Sequence, residues 1–577
     1  MIRQLFKYKW YIIVILVLII VEPSINSVLN FWLQNLFNSA IPGTQKIIIL
    51  RLLTAGFLLW ILKRVVSFCL GVIRTKFICN AKLDIKHNMF VTLMGLDTSN
   101  ISEIASSGEY ISLFTNDIYI LETRFYNQIV SFISGVFSVI IMGSSFFALN
   151  VKLAGAILIF GLISMFVPVA FSKKLNKENL LYSNKISIFT QRIKEYMAAY
   201  PTIKNYSIEQ EIIDKFDSIN NETENKKFDA DYSLILANNI GQLLSWFMQF
   251  IGVGLGIMMV IKGEILIGTV IAAQSFASDL ASPLQDIIIN VNNIRSVKEI
   301  VRKIEKLSKV QVSTDIETKN DRLENYDKKD INDHNKCELM FNDVVLKINN
   351  KVIINHFTFT FEPCKKYLVI GLNGSGKSSI FKALKKWYNN LSGEILVNGK
   401  NITEISNKEI SRFVSYLNEN VSLFSGSVKD NIVLFKERTY EIFEKALETA
   451  QIKLDINREI NDEGRNISSG EQRRIEIARS LMEDVNVLIF DEVVSTLDIE
   501  TAYEIEKQAL SFEEKTVIFI SHNFSGKLIR SYDEILVIDN GELLAHGKYD
   551  DLYETCEYFK KICQIKFGLY EEVSSEN

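Results

Sequence analysis

The sequence predicts a membrane α-helical bundle of six transmembrane helices with long cytosolic extensions, followed by an α/β domain built round a phosphate-binding loop. Three observations lead there. Long apolar runs such as "YIIVILVLII", "ILRLLTAGFLLWIL" and "IGVGLGIMMVI" crowd the part before residue 300, whereas charge gathers after Lys298. Past residue 337, short β-rich runs alternate with helical stretches, the pattern of a sheet with helices on its faces. One of those runs, "YLVI", feeds a glycine-rich loop that opens a helix. A chain of 577 residues is too long for one core. The division reads 1–300 transmembrane domain, 301–336 linker and 337–577 soluble domain.

In the first part, apolar stretches place membrane helices at about 9–39, 47–75, 127–149, 151–172, 233–262 and 266–296. The second of these rises about 43 Å against a hydrocarbon layer of about 30 Å, so it projects into water. The connections Thr75 to Tyr126 and Ser172 to Tyr232 are long and basic, while "AIPGTQK", "LNVK" and "KGEILIG" are short. The excess of Lys and Arg puts both termini and the long loops in the cytoplasm, the protein being multi-pass in the membrane. Apolar residues near helical spacing in "KLDIKHNMFVTLMGL" and "NLLYSNKISIFTQRIKEYMAAY" make those loops helical extensions. The first apolar segment is too long for the core of a cleavable signal peptide. Fewer than ten residues precede it, so no N-terminal soluble domain, a peptidase included, is expected.

Charge inside these spans is expensive and therefore informative. Lys63 and Arg64 lie within the second helix, Glu22 in the first, Asp279 and Asp286 in the sixth. One reading is a mixed polar cavity for an amphipathic or charged cargo, a peptide, lipid-like or drug-like molecule; the other is internal ion pairing or snorkelling. The net charge of -4 with five His offers no basic surface for nucleic acid. Six Cys at 69, 79, 337, 364, 556 and 563 form no CxxC pair, so neither a zinc site nor a disulfide framework is suggested. The Ile, Asn and Lys richness suits an AT-rich bacterial genome, and with it a plasma membrane.

From Lys298 to Lys336 the chain turns polar, and "ETKNDRLENYDKKDINDHNK" lacks the apolar surface to fold alone. Beyond it, "YLVIGLNGSGKSSIFKAL" runs from strand to helix with Gly371, Gly376, Lys377 and Ser378 in the order G-x-x-x-x-G-K-S. Backbone N–H groups from Gly371 through Leu372, Asn373, Gly374, Ser375 and Gly376 to Ser379 would close round the phosphates of ATP. Lys377 would reach the β and γ phosphates and Ser378 would coordinate Mg²⁺. "VNVLIFDE" ends a buried strand in two acids: Asp491 suits Mg²⁺, and Glu492 suits a general base for the attacking water. "VIFISH" sets His522 at another strand end, where a ring contacts a γ-phosphate or orients the acid pair. The soluble domain is thus an α/β P-loop ATPase.

The order of phosphate loop, "ISSGEQRRIEIARSL", "LIFDE", "STLD" and "ISH", behind a membrane half, resembles the ATP-binding cassette exporters, in the form of a half-transporter. The resemblance covers nearly the whole chain. "SSGEYISLFTNDI", "EYMAAYPTIKNYSIEQE" and "IGTVIAAQSFASDLASPLQD" are similar to the family in the membrane half. It implies a dimer in which each ATP is sandwiched between one chain's loop and carboxylates and the other's signature. Ser468, Gly470 and Glu471 of the signature, with Asp498 of "STLD", would then border nucleotide, and Leu113 to Ile118 and Ala199 to Asn205 would couple the ATPase to the membrane helices. Export by alternating access follows from the resemblance. A rival reading is an ATP-gated channel or regulatory membrane ATPase.

Three places depart from the family pattern. Its signature L-S-G-G-Q is here Ile467, Ser468, Ser469, Gly470, Glu471, so a carboxylate is expected on the partner's phosphate side, where like charge repels. The loop glutamine that senses Mg²⁺ is replaced by Glu419, still able to coordinate the ion. The adenine-stacking aromatic is replaced by Ile348, which keeps apolar contact and loses π-stacking. In heterodimeric members the partner with the working carboxylate tends to carry the altered signature, which is this chain's pattern. Glu419 and Ile348 fit a homodimer with tolerated drift, and both dimers stay open.

Overall fold

The computed structural model describes residues 6–40, 45–96, 107–165, 167–309, 337–348, 351–418, 421–461, 464–483, 485–493, 497–522, 524 and 526–567. The chain divides into a unit of residues 1–91 and 107–309 and a unit of residues 92–106 and 310–577.

The first unit is helical. In chain order it holds α1 (Lys9–Ser39), α2 (Lys46–Met94), α3 (Asn127–Leu149), α4 (Val151–Met165), α5 (Val167–Ala198), α6 (Tyr200–Tyr206), α7 (Glu209–Ile261), α8 (Ile267–Ser296) and α9 (Lys298–Lys309). Among the described residues, four stretches are long and apolar enough to cross a membrane: Lys9–Ser39, Lys46–Met94, Gly108–Leu149 and Glu209–Ile261. The spans expected near 151–172 and 266–296 fall on α4, α5 and α8; α8 is the more polar, carrying Asp279 and Asp286. The expected extensions are continuous with the spans. At 1.5 Å per residue α2 is about 74 Å long and passes straight from apolar to basic sequence without a break.

Aromatic and small residues lock α8 into the bundle. Phe276 stacks on Phe146 of α3 at 5.4 Å and meets Phe31 of α1 edge-on at 5.7 Å. Ala272, Ala273 and Ala277 on the same face allow that close approach. Buried amides join α1 to α8: Asn30 donates to Asp279 at 3.1 Å and accepts from Ser275 at 2.6 Å. Before α3, residues Leu113–Asp117 and Glu122–Tyr126 form π-helical turns, so the stretch expected to couple is helical but widened. The other, α6, ends at Ser207 in the left-handed region. The first nine residues of the expected 301–336 linker are instead helical in α9, where Ile304 repeats the apolar spacing and is buried. Residues 310–336 lie outside the described part.

The second unit begins with β1 (Leu339–Ile348), β2 (Lys351–Phe361), β3 (Lys366–Ile370), α10 (Lys377–Leu384), β4 (Leu391–Val397) and β5 (Lys400–Asn401). Then come α11 (Asn407–Phe413), β6 (Val414–Leu417), β7 (Gly426–Ser427), α12 (Val428–Val433), α13 (Tyr440–Thr449), β8 (Glu459–Ile460) and α14 (Ser469–Leu481). The last elements are β9 (Val487–Asp491), α15 (Ile499–Leu510), β10 (Thr516–Ile520), β11 (Glu534–Asp539), β12 (Glu542–Gly547), α16 (Tyr549–Thr555) and α17 (Glu557–Phe567). An antiparallel sheet runs β2-β1-β4-β5, and a six-stranded sheet runs β12-β11-β3-β10-β9-β6. Strands β11, β3, β10, β9 and β6 are parallel, and β3, β9 and β10 are buried along their whole length, which is why they read as unbroken apolar runs.

Period-2 alternation along those strands feeds two cores. Leu368, Ile370, Leu488, Phe490, Val517 and Phe519 point to one face, where Phe490 stacks on Phe519 at 4.6 Å. Tyr367, Val369, Ile489 and Ile518 point to the other, with Phe341 and Phe381. The C-terminal helix α17 plugs the first core with Phe559 and Cys563, as its apolar spacing predicts.

Candidate functional site

Parallel strands bring their C-terminal ends to one edge, and the predicted chemistry collects there. Register sets Ile520 opposite both Asp491 and Val369, so the segments that follow β3, β9 and β10 emerge side by side. These segments are Gly371 onward, Glu492, and Ser521 with His522.

The phosphate loop is built by sterics. A Cβ on Gly371 would come within 2.1 Å of the Ile538 carbonyl oxygen, and Gly376 has φ +96° with the Ile353 carbonyl 2.6 Å from where a Cβ would stand. Gly376 is also the N-cap of α10 and offers no side chain to its free N–H groups, which leaves them for an anion. Lys377, buried, donates to the carbonyls of Gly371 and Leu372, both at 2.9 Å. Burial lowers its pKa, while the nearby Glu492 and Asp491 act in the opposite direction. The Ser375 hydroxyl is buried without a partner among the described residues. An orphaned donor, open N–H groups and a buried ammonium in one loop fit the phosphates of a nucleotide.

The acids sit beside it. Ser378 donates to Asp491 at 2.8 Å, and the Tyr416 hydroxyl donates to the other oxygen of the same carboxylate. Burial pushes the Asp491 carboxyl above its usual range against both of those hydrogen bonds. Ser378 and Asp491 thus offer hard oxygen ligands side by side, the donor set Mg²⁺ takes. Glu492 has φ +53°, a left-handed turn that a non-glycine residue adopts only under constraint, and its N–H donates to Ile520 at 2.9 Å. That turn re-aims its carboxylate to His522, whose Nδ1 lies 3.0 Å from Oε1.

The signature is capped within its own helix. Ser468 caps α14, and Glu471 three residues on closes a reciprocal capping box. One Glu471 oxygen accepts from the Ser468 N–H and from its hydroxyl, both at 2.8 Å, and Arg458 stands 4.0 Å from the other. The carboxylate is therefore turned back on its own helix, and the Ser468 hydroxyl is already donated. The Ser468 N–H above all holds the Glu471 carboxyl below its usual range. Its contribution is fully present above the ordinary value of 4.5 and fades as pH falls through the lowered one. Ser468→Ala removes one half of the box, worth about 1 kcal/mol, and should speed hydrogen exchange of the first α14 amides about fivefold.

Asp498 likewise caps its own helix, accepting from the Thr501 N–H at 2.9 Å, with Arg474 at 3.5 Å. Among the described residues, no hydrogen bond or ion pair joins Ser468, Glu471 or Asp498 to the loop 371–379. Gly470 faces Leu497, whose side chain would lie 3.7 Å from a Cβ added there. Ile348 closes β1 opposite Lys351 and is partly exposed. Glu419 and Ser495 lie outside the described residues. Asn418 is tied to the signature helix: Arg473 donates to the Asn418 carbonyl and Glu476 accepts from its N–H at 3.3 Å.

Sequence reading missed Tyr416, which stands in no motif, and gave Ser375 a backbone role in the loop without singling out its buried hydroxyl. The intramembrane charges divide between the two readings. Lys63 donates to the neutral Asn26, Arg64 lies among Phe57, Trp60 and Phe68, and Asp279 is bound by Asn30. Of the five charges, Glu22 and Asp286 line a common cavity, joined there by Arg74.

Two family profiles match the chain. The one described as ABC transporter transmembrane region matches residues 10–284, and the one described as ABC transporter matches 354–495. The chain is 26% identical over 561 residues to the lactococcin-G-processing and transport ATP-binding protein LagD of Lactococcus lactis subsp. lactis, spanning 92% of this chain and 75% of that protein. It is 25% identical over 566 residues to the transport/processing ATP-binding protein ComA of Streptococcus pneumoniae, spanning 95% and 76%. A solved structure of a bacterial Atm1-family ABC exporter with ATP bound matches with a TM-score of 0.79 at 18% identity, over 98% of this chain and 99% of that one.

Proposed function

Because the chain belongs to the ATP-binding cassette transporters and fuses their membrane region to their ATPase, we propose that it exports an amphipathic or charged cargo from the cytoplasm by alternating access. It is an ATPase coupled to transport. The observation that carries the export mechanism is the split of the chemistry: loop, Mg²⁺ ligands and base stand together, while among the described residues the signature has no hydrogen bond or ion pair to that loop. A second half-transporter in the membrane supplies the missing signature, and each ATP is held between two chains. The transmembrane domain 1–300 and the ATPase 337–577, joined by residues 301–336, transmit closure through the stretches near Leu113 to Ile118 and Ala199 to Asn205.

In this reading Gly371 to Ser379 cradle the phosphates and Lys377 neutralises them, as Ser378 and Asp491, with Glu419, hold Mg²⁺. The ion supplies positive charge to the β and γ oxygens when bound. Glu492 accepts the proton of the attacking water, and His522 holds the carboxylate in place. Ile348 covers adenine by apolar contact alone. Ile348→Tyr should tighten ATP binding by about threefold to tenfold through ring stacking, read by nucleotide titration; unchanged affinity would misplace the base.

The partner is a different chain with an unaltered signature, because Glu471 binds the hydroxyl that would otherwise be offered to phosphate. Lys7 and Tyr8 both bond Asp84 on the far extension of α2, which supports an N-terminus on the same side as the basic loops, the cytoplasm of a bacterial cell. Cargo uptake into inside-out vesicles, driven by ATP and accompanied by cargo-stimulated hydrolysis, tests export. Ion conduction gated by ATP with no uphill uptake would favour the channel reading.

A further inference from the structure

Inside the helical unit, a cavity of about 450 Å³ opens between α1, α2, α3 and α8. Its volume lies in the range of ligand sites. Its wall is unusually polar for a membrane span: Glu22 from α1, Arg74 from α2 and Asp286 and Asn290 from α8. Ser131, Ser134 and Ser138 of α3, at helical spacing, form one stripe of hydroxyls along it. Such groups in hydrocarbon are retained where they serve a pathway or ligand.

Among the described residues, the hydrogen bonding inside the cavity is incomplete in one direction. Arg74 gives Nε and Nη2 to the neutral Asn127 amide oxygen at 3.0 and 2.7 Å, so the guanidinium charge is not met by a carboxylate. Asn290 is 4% exposed and its Nδ2 has no partner. A buried amide donor left open is costly and asks for an oxygen acceptor. Asp286 accepts only a serine hydroxyl, from Ser282 at 2.8 Å, so its charge still asks for a cation. Gly71 also lines the space, and a Cβ there would meet nothing within 4 Å.

From this we infer that the cavity binds a short zwitterionic peptide segment, its ammonium group against Glu22 and Asp286 and its carbonyl or carboxylate oxygens against Asn290 and Arg74. The inference rests on the export reading and names the cargo chemistry. Peptide fits better than a phospholipid headgroup because the open donor is a neutral amide beside a row of hydroxyls, matched to carbonyl groups. A phosphate would favour clustered cations, and the cavity presents one guanidinium.

The test measures equilibrium binding of the tripeptide Gly-Lys-Gly with free termini to the nucleotide-free full chain in nanodiscs. Saturable binding is expected, weakened about tenfold in Glu22→Gln with Asp286→Asn through loss of charge pairing in the cavity. Acetylated and amidated triglycine should not bind. Gly71→Leu, at a position where a Cβ meets nothing within 4 Å, puts side-chain volume into the cavity and should abolish binding while the thermal midpoint holds; it decides the matter if the charge variants fold poorly. Absence of saturable peptide binding, binding indifferent to Gly71→Leu, or capture of glycerophosphoethanolamine in place of the peptide would each overturn the proposal. Binding is read without ATP, so a failure of ATP-driven uptake sinks the export reading and leaves this result standing on its own.

Discussion

Glu492→Gln should stop ATP turnover while leaving ATP bound. General-base catalysis is worth about 10² to 10⁴ in rate, and the amide keeps the shape and the contact with His522 but takes up no proton. The geometry makes the substitution clean. The backbone at Glu492 is fixed by φ +53° and by its N–H bond to Ile520, neither of which involves the carboxylate. Steady-state hydrolysis should fall at least about 100-fold, whereas nucleotide affinity in a titration should stay within about twofold. A variant that hydrolyses at more than a tenth of the parent rate would remove Glu492 from the base role.

Lys377→Ala should act at the earlier step, weakening ATP binding about 100-fold, because one side of a desolvated charge pair is removed. The ammonium now rests on two carbonyls of its own loop. Phosphate oxygens, carrying full charge, outcompete those neutral acceptors and release the loop to wrap the nucleotide. Lys377→Arg should fail nearly as badly, since a buried site sized for an ammonium does not take a planar guanidinium. Retained affinity in either variant would show that binding rests on the backbone N–H groups alone.

How much of this was legible in the sequence depends on whether a feature is local. The phosphate loop and the acid pair were, because strand, loop and helix follow one another and need no distant partner. The strands of the parallel sheet were also plain, as burial on both faces leaves no alternation to confuse. Tyr416 was not, since its approach to Asp491 depends on β6 lying beside β9, a neighbour relation no window of sequence contains. Arg74 and Asn290 were missed for the same reason, and the adjacent charges Lys63 and Arg64 drew attention that belonged to Arg74.

The signature gives the sharper lesson. Ser468, Ser469, Gly470, Glu471 was compared with a family pattern, which made Glu471 an intrusion into the partner's phosphate site. The same four letters are also S-x-x-E, a capping box, and the local reading is the one α14 adopts. A carboxylate that serves its own helix takes the Ser468 hydroxyl as a charge-assisted donor, so the group a γ-phosphate would need is held by a rival anion. The proposed defect of this chain's signature would thus be competition as well as repulsion.

That account is tested most directly by the ATPase rate of the full chain purified alone, where it can pair only with itself, before and after Ser469→Gly with Glu471→Gln. Glutamine preserves the capping box and removes the competing charge. The account predicts slow hydrolysis by the unaltered chain and a rise of about tenfold or more on repair, the repair changing little once an unaltered partner is present. Fast hydrolysis by the unaltered chain alone, abolished by Glu492→Gln and indifferent to the repair, would contradict it and assign the chain to a homodimer.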